Sequence, residues 1–420
     1  MTDLVVEGRL FYGGSLTNGC IAIKDGKIVK VAKTILANDK LDVGRQIIIP
    51  GGVDLHVHFR QPGMTHKEDF IHGSTAAACG GTTFYLDMPN TKPHTSSMET
   101  FEKKISLAKD SVVDYGIAAL LGPESPPELG HKTTAWKWYY GASTNATCWT
   151  DVGAAKDLLE KSPGFTTVHC EDPEKVAGGG KNLEEHSKNR PEQGEINAIS
   201  SIAAGGLFGL NVAHCSSARV LAAAKKCGYS REITLHHLLL DTSSHLGAYA
   251  KVNPPLRKKA DRAALLEAFL MDDAVLATDH APHTIDEKEG AFEEAPAGIP
   301  GVEERLPVLM AMVKKGDVPI EKLVSSCCEL PGRRLGLTKG RIAEGCDADL
   351  AIFNPLEMEK LRGANLHSKC MWSAYEGQDV IFPSYVFCRG EAVVDASAFV
   401  GERGQGRYVG HAVPPEEERP

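Results

Sequence analysis

Two imidazoles one residue apart can chelate a metal when they lie on a strand, because alternate side chains of a strand share a face. Asp54-Leu55-His56-Val57-His58 has this spacing and follows the apolar run Ile47-Ile48-Ile49 and the turn Pro50-Gly51-Gly52. His56 and His58 are therefore candidate ligands. Two later apolar runs end on a histidine, Thr167-Val168-His169 and Val212-Ala213-His214, and a third ends on a carboxylate, Val275-Leu276-Ala277-Thr278-Asp279. Four imidazoles and one carboxylate suit a divalent metal such as zinc. Two neighbouring cations would also need a shared anion, and Lys137 in Ala135-Trp136-Lys137-Trp138-Tyr139 is the candidate. An ammonium there would repel metals, whereas a carbamate formed with carbon dioxide offers two anionic oxygens. Taken singly, each residue has a plainer reading, a histidine packed on a sheet or a lysine on a strand surface. The set argues against those readings.

Such residues need a scaffold that gathers distant strand ends. Short apolar runs at 53–59, 82–88, 113–121, 135–140, 165–171, 210–215, 232–239 and 274–279 alternate with longer helical stretches, the pattern of βα units around a parallel sheet. Eight units favour an α/β fold of the closed (β/α)8 TIM-barrel type. His56, Asp87, Lys137, His169, His214, His237 and Asp279 fall at or near the C-terminal ends of these runs, where barrels build their sites. The barrel is expected over residues 51–341. The flanks, 1–50 and 342–420, carry short β-type runs such as Cys20-Ile21-Ala22-Ile23 before Asp25-Gly26, a hairpin signal. Neither flank is long enough to bury a core alone, so the two are expected to fold together as a small β-sandwich. The stretch Pro414 to Pro420, rich in Pro and Glu, is expected to be mobile.

Composition excludes several classes. A formal net charge of −9 argues against a nucleic-acid surface, which needs a basic face. No run of 18 apolar residues marks a membrane span, and Met1-Thr2-Asp3-Leu4 lacks a signal-peptide pattern. The expected location is the cytoplasm, where the eleven cysteines would stay reduced. Neither a GxGxxG fingerprint after a strand nor a Walker loop is present. Cys170 and Cys215 directly follow candidate ligands, so alternation turns their thiols outward. His280, beside Asp279, reads as structural. Glu232 and Asp87 could support the ligands.

The stretch His56-Val57-His58-Phe59-Arg60-Gln61-Pro62-Gly63, continuing through His66-Lys67-Glu68-Asp69-Phe70, resembles the opening signature of dihydroorotases. Gly80-Gly81-Thr82-Thr83, Met88-Pro89-Asn90-Thr91, Asp279-His280-Ala281-Pro282-His283 and Gly298-Ile299-Pro300-Gly301 resemble later ones, and the likeness runs from about residue 5 to residue 410. It implies that His56, His58 and Asp279 bind one divalent ion, that His169 and His214 bind a second, and that carbamylated Lys137 joins them, with zinc the first expectation. It also implies that Arg60, Asn90, Asn253 and His283, with backbone near Gly298, hold the substrate, and that Asp279 is general base and acid. The implied reaction is the reversible closure of N-carbamoyl-L-aspartate to L-dihydroorotate, in a homo-oligomer, a dimer first, acting on a small molecule.

The chain departs from many relatives in having Gln61 for Glu and Leu235 for Pro. The loop Gly141-Ala142-Ser143-Thr144-Asn145 does not match the animal type, so a lid role for it does not carry over. Two rival readings stand beside this one. Another cyclic amidase, an allantoinase or a dihydropyrimidinase (hydantoinase), would share barrel and metals without the carboxylate clamp. An inactive barrel serving as a binding subunit should have lost ligands, and none is missing.

Overall fold

The computed structural model describes residues 2–410, and the Pro414–Pro420 stretch lies outside the described residues. Four strands open the chain, β1 (Leu4–Tyr12), β2 (Ser15–Lys24), β3 (Lys27–Ala32) and β4 (Lys40–Pro50). Eight more form a parallel sheet in sequence order: β5 (Gly52–Val57), β6 (Thr82–Asp87), β7 (Asp114–Leu121), β8 (Ala135–Tyr139), β9 (Thr166–His169), β10 (Asn211–Val212), β11 (Ser230–Thr234) and β12 (Val275–Ala277). The first and last of these close on each other. Val57 bridges His280 in parallel, the His58 N–H donates to the His280 carbonyl at 2.8 Å, and the Thr278 hydroxyl donates to Asp54 Oδ2 at 2.6 Å. The result is a (β/α)8 barrel.

Alternation sorts each barrel strand into an inner and an outer row. On β8, Trp136 and Trp138 join the large core between strands and helices, while Ala135 belongs to the inner apolar cluster with Val53, Leu55, Phe84, Leu86, Ala118 and Val275. Lys137 therefore points inward, fully buried. Cys170 and Cys215 lie in the outer core, as alternation requires. Arg305, also fully buried, donates to the carbonyls of Val53 (3.1 Å) and Leu276 (2.8 Å) and so ties β5 to β12. Helix α1 (Phe70–Cys79) starts where Asp69 accepts the His72 N–H. Its small residues allow close approach to the barrel, since a Cβ on Gly73 would come within 2.6 Å of the Phe59 ring.

The run 232–239 is not one strand. β11 ends at Thr234, whose hydroxyl caps a short helix, Leu235–Leu239, by accepting the His237 N–H. A threonine N-cap satisfies a donor that an extended chain would leave to the sheet, and the apolar run hid this stop. His237 consequently leaves the inner row. Its Nδ1 meets Thr234 Oγ1 at 2.7 Å and its Nε2 meets the Pro254 carbonyl at 3.1 Å.

The chain ends in β13 (Leu350–Phe353), β14 (Glu359–Lys360), β15 (Asp379–Val380), β16 (Pro383–Cys388), β17 (Glu391–Asp395) and β18 (Ala398–Phe399). β14 and β15 pair with each other, and the other four join the opening strands in one eight-stranded sheet, ordered β18-β17-β16-β13-β4-β1-β2-β3. The two flanks meet where β13 pairs antiparallel with β4. Ile47 and Ile49 of β4 face the barrel core while Ile48 faces the flank's own apolar cluster. Among the described residues no helix is long and apolar enough to cross a membrane.

Candidate active site

At the C-terminal mouth of the barrel a small cavity is lined by His56, His58, Lys137, His169, His214 and Asp279, and by Arg60, Asn90, Asn253 and Gly298. His283 does not line it directly but backs Arg60, whose Nη2 lies 3.2 Å from His283 Nε2. The sequence-derived set thus converges from strands far apart in the chain.

His56 Nε2 lies 3.2 Å from Lys137 Nζ and 3.3 Å from Asp279 Oδ1, while His58 Nε2 lies 3.0 Å from the same carboxylate oxygen. His169 Nδ1 faces His214 Nε2 at 3.1 Å. Several of these residues sit just past their strands in backbone conformations that L-residues seldom adopt: Arg60 (φ 62), His214 (φ 40) and Asp279 (φ 48). Non-glycine residues held at positive φ are costly and cluster at functional sites. Gly298 (φ 151) is required where it stands, because a Cβ would lie 2.4 Å from the Ala281 carbonyl oxygen.

Burial sets the charges. It pulls His58 down to about 3, and it lowers His169 and His214 as well. All three rings are neutral at neutral pH, the form that ligates metal. Burial alone would raise the Asp279 carboxyl, but the adjoining His56 and His58 outweigh it and hold the group well below the usual carboxylate range. Burial also draws the Lys137 amine down to about 8. His214 Nδ1, buried in the cluster, has no hydrogen-bond partner among the described residues. Neutral imidazoles around an ionised carboxylate, one ring nitrogen unsatisfied, are a donor set that fits divalent cations. His56, His58 and Asp279 alone bring three donor atoms within 4.8 Å of one another.

The supporting contacts were only partly legible. Glu232, considered as a support, accepts from His56 Nδ1 at 2.8 Å and from the His214 N–H at 3.3 Å. Asp87 accepts the Phe59 N–H at 2.7 Å and pairs with buried Lys104 at 2.6 Å. Asn90 is engaged at both ends of its amide, with Oδ1 2.7 Å from His58 Nδ1 and Nδ2 donating to the Thr144 carbonyl at 3.0 Å. The Asn253 side-chain oxygen is buried without a partner among the described residues.

Sequence reasoning missed Glu171, 2.9 Å from His169 Nε2, and Arg190, which clamps it. It also missed Lys67, 3.1 Å from His283 Nδ1. Glu171 shares the parity of His169, which was the available signal. Arg190 and Lys67 lie on other elements, and spacing gave no hint of them.

Comparison with known proteins agrees with this geometry. Residues 47–177 and 167–393 match the Amidohydrolase family, a generally metal-dependent family of hydrolases, and the chain belongs to it. It is 35% identical over 400 residues to a dihydroorotase of Thermoplasma acidophilum, covering 94% of this chain and 95% of that protein. It is 33% identical over 447 residues to a dihydroorotase of Methanosarcina mazei, covering 97% and 98%. Within the family the chain therefore stands among the dihydroorotases, hydrolases of a cyclic amide. Among solved structures, the L-hydantoinase (dihydropyrimidinase) of Arthrobacter aurescens superposes with a TM-score of 0.91 at 26% identity, covering 98% of this chain and 100% of that one.

Proposed function

We propose that this protein catalyses the reversible cyclisation of N-carbamoyl-L-aspartate to L-dihydroorotate, a step in making UMP. The observation that carries the reading is Arg60. Its guanidinium, 2% exposed, lines the same cavity as the imidazole cluster and Asp279. A buried guanidinium facing a small cavity suits a substrate carboxylate, which it can grip through two parallel hydrogen bonds.

In this reading His56, His58 and Asp279 would hold one divalent ion, His169 and His214 would hold a second, and Lys137, carbamylated, would serve as an anionic ligand to both, with zinc suiting the imidazole-rich set. Bound there, such ions acidify water and polarise a carbonyl. An amine lowered to about 8 is partly neutral at physiological pH, and the neutral amine is the form that adds to carbon dioxide. During hydrolysis, water adds to the ring amide carbon and the C–N bond breaks. Asp279 takes the proton from the attacking water and passes it to the departing nitrogen, one group serving as base and then acid. In the other direction the ureido nitrogen attacks the side-chain carboxyl carbon and water leaves. Arg60 holds the substrate carboxylate, with His283 bracing the guanidinium. Asn253 and the backbone around Gly298 face the ring. Asn90 serves through His58 as much as through substrate.

The catalytic unit in this reading is residues 51–341, with 1–50 and 342–420 as its companion, acting as a homodimer in the cytoplasm. The L-hydantoinase likeness favours a second reading, a cyclic amidase for rings without a carboxylate. Arg60→Met separates the two. Against dihydroorotate it should cost roughly 2–4 kcal/mol in kcat/KM, the size expected for a desolvated charge pair. Any activity on dihydrouracil, the same ring without the acid, should be untouched. Equal losses on both substrates would overturn the carboxylate-binding role.

A further inference from the structure

A second cluster of metal-ligating side chains lies in a separate cleft. Cys79 is the last residue of α1, Glu303 follows the Gly298–Gly301 loop, and His367 comes from the segment after the turn Gly363–Asn365. His367 Nδ1 lies 2.8 Å from Glu303 Oε1, and its backbone N–H donates to Glu303 Oε2 at 2.8 Å. Cys79 Sγ lies 3.8 Å from His367 Nε2. One donor atom from each of the three lies within 4.8 Å of the others. Cys79 and Glu303 are buried, and exposed His367 lines a cleft that Glu357 and Glu359 also line. None of the residues lining this cleft lines the active-site cavity.

A nucleophile, a histidine and an acid in a row also resemble a hydrolytic triad, but the electrostatics oppose a free thiolate here. The C-terminus of α1 carries partial negative charge, and burial together with Glu303 pushes the Cys79 thiol up. The helix C-terminus and the Glu303 carboxylate, unlike the burial, favour a cation. The cleft's own cations are already engaged, Lys360 with Asp379 at 2.8 Å and Arg362 with Glu376 at 3.3 Å.

We propose that Cys79, His367 and Glu303 form a binding site for a single zinc-like divalent ion, distinct from the catalytic centre. Metal–sulfur and metal–nitrogen bonds of about 2.3 and 2.0–2.1 Å at a tetrahedral angle set sulfur and nitrogen about 3.6 Å apart, close to the 3.8 Å found. On binding, the thiol proton is released to solvent and the thiolate ligates. Glu303 either ligates directly or orients the imidazole through Nδ1, the usual carboxylate–histidine arrangement. The ion would fasten α1 to two segments behind the active site. Ser368, next to His367, donates to the Glu68 carboxylate, which lies 3.6 Å from His280, the neighbour of Asp279.

The catalytic cluster contains no sulfur, so thiolate-to-metal charge transfer separates the two places. The holoenzyme, with its catalytic metals in place, is titrated with Co2+ or Cd2+. The expected result is one further ion bound with a thiolate charge-transfer band and a raised melting temperature. Cys79→Ser and His367→Gln should each abolish the band and the extra ion while leaving hydrolytic activity unchanged. His367 is exposed, so that variant keeps the test open should the buried serine disturb folding. Absence of the band in the unsubstituted protein, or a band surviving either variant, overturns the proposal.

Discussion

His56 lies on β5 and His58 just past its end, and each ring has one nitrogen anchored on a fixed partner, Glu232 at 2.8 Å or Asn90 at 2.7 Å, while the other turns toward Asp279. His169 and His214 come from different strands and lean on each other at 3.1 Å, with His214 Nδ1 unpartnered among the described residues. The first pair is a finished three-donor nest. Of the second pair, the His169 ring is backed by Glu171, whereas Glu232 reaches His214 at its backbone N–H and not at its ring. The two proposed metal positions should therefore be unequal: the first can fill alone, and the second depends on groups it shares.

Lys137→Ala should have the largest effect on both positions. Fully buried 3.2 Å from His56, Lys137 is the proposed shared anion once carbamylated. The variant should lose nearly all activity and most of its metal, with any residue retained at His56, His58 and Asp279. Metal analysis beside kcat/KM checks this, and small carboxylic acids should partly restore binding. A variant with full metal and full rate would make Lys137 an ordinary inward lysine.

Asp279→Asn attacks the first nest instead. The amide cannot carry the proton, so turnover should fall at least about 10²-fold while the fold persists by circular dichroism. The second pair should keep its share of metal. Near-normal turnover would require another base in the cavity.

Strand alternation made the inward set legible. Trp136-Lys137-Trp138 could be read with the lysine on the opposite face from both indoles, and His56-Val57-His58 as a pair. What lay outside that logic was lost. The stop at Thr234 was hidden because its neighbours are as apolar as a buried strand. The positive φ of His214 and Asp279 turns them into the cavity just past β10 and β12, which no periodicity encodes. Glu171 was in register and overlooked. Arg190, which decides its charge, reaches it from the far end of the helix Leu183–Asn189. The flanks showed their strands but not that these would join in one continuous sheet through β4 and β13, because pairing partners some 300 residues apart leave no local mark.

Glu171→Gln should act more weakly, and on the second position alone. Burial alone would raise the Glu171 carboxyl, but Arg190 outweighs it and holds the group at about 2, so it stays ionised across the working pH range. An ionised acid at 2.9 Å from His169 Nε2 keeps that ring's Nδ1 facing His214 and makes it a more basic ligand. Glutamine preserves size and one hydrogen bond while removing the charge. Partners of this kind are worth roughly 10–100-fold in metal affinity or activity, and the loss should fall on the second ion alone. Stepwise metal titration followed by activity reads this directly. Arg190 also donates to the Ala142 carbonyl at 2.8 Å, so the variant's melting temperature must be measured beside it. Loss confined to the second ion supports the backing role given to Glu171 at His169. Equal weakening of both ions, or a fall in melting temperature with metal affinity unchanged, would reduce Glu171 and Arg190 to a structural pair.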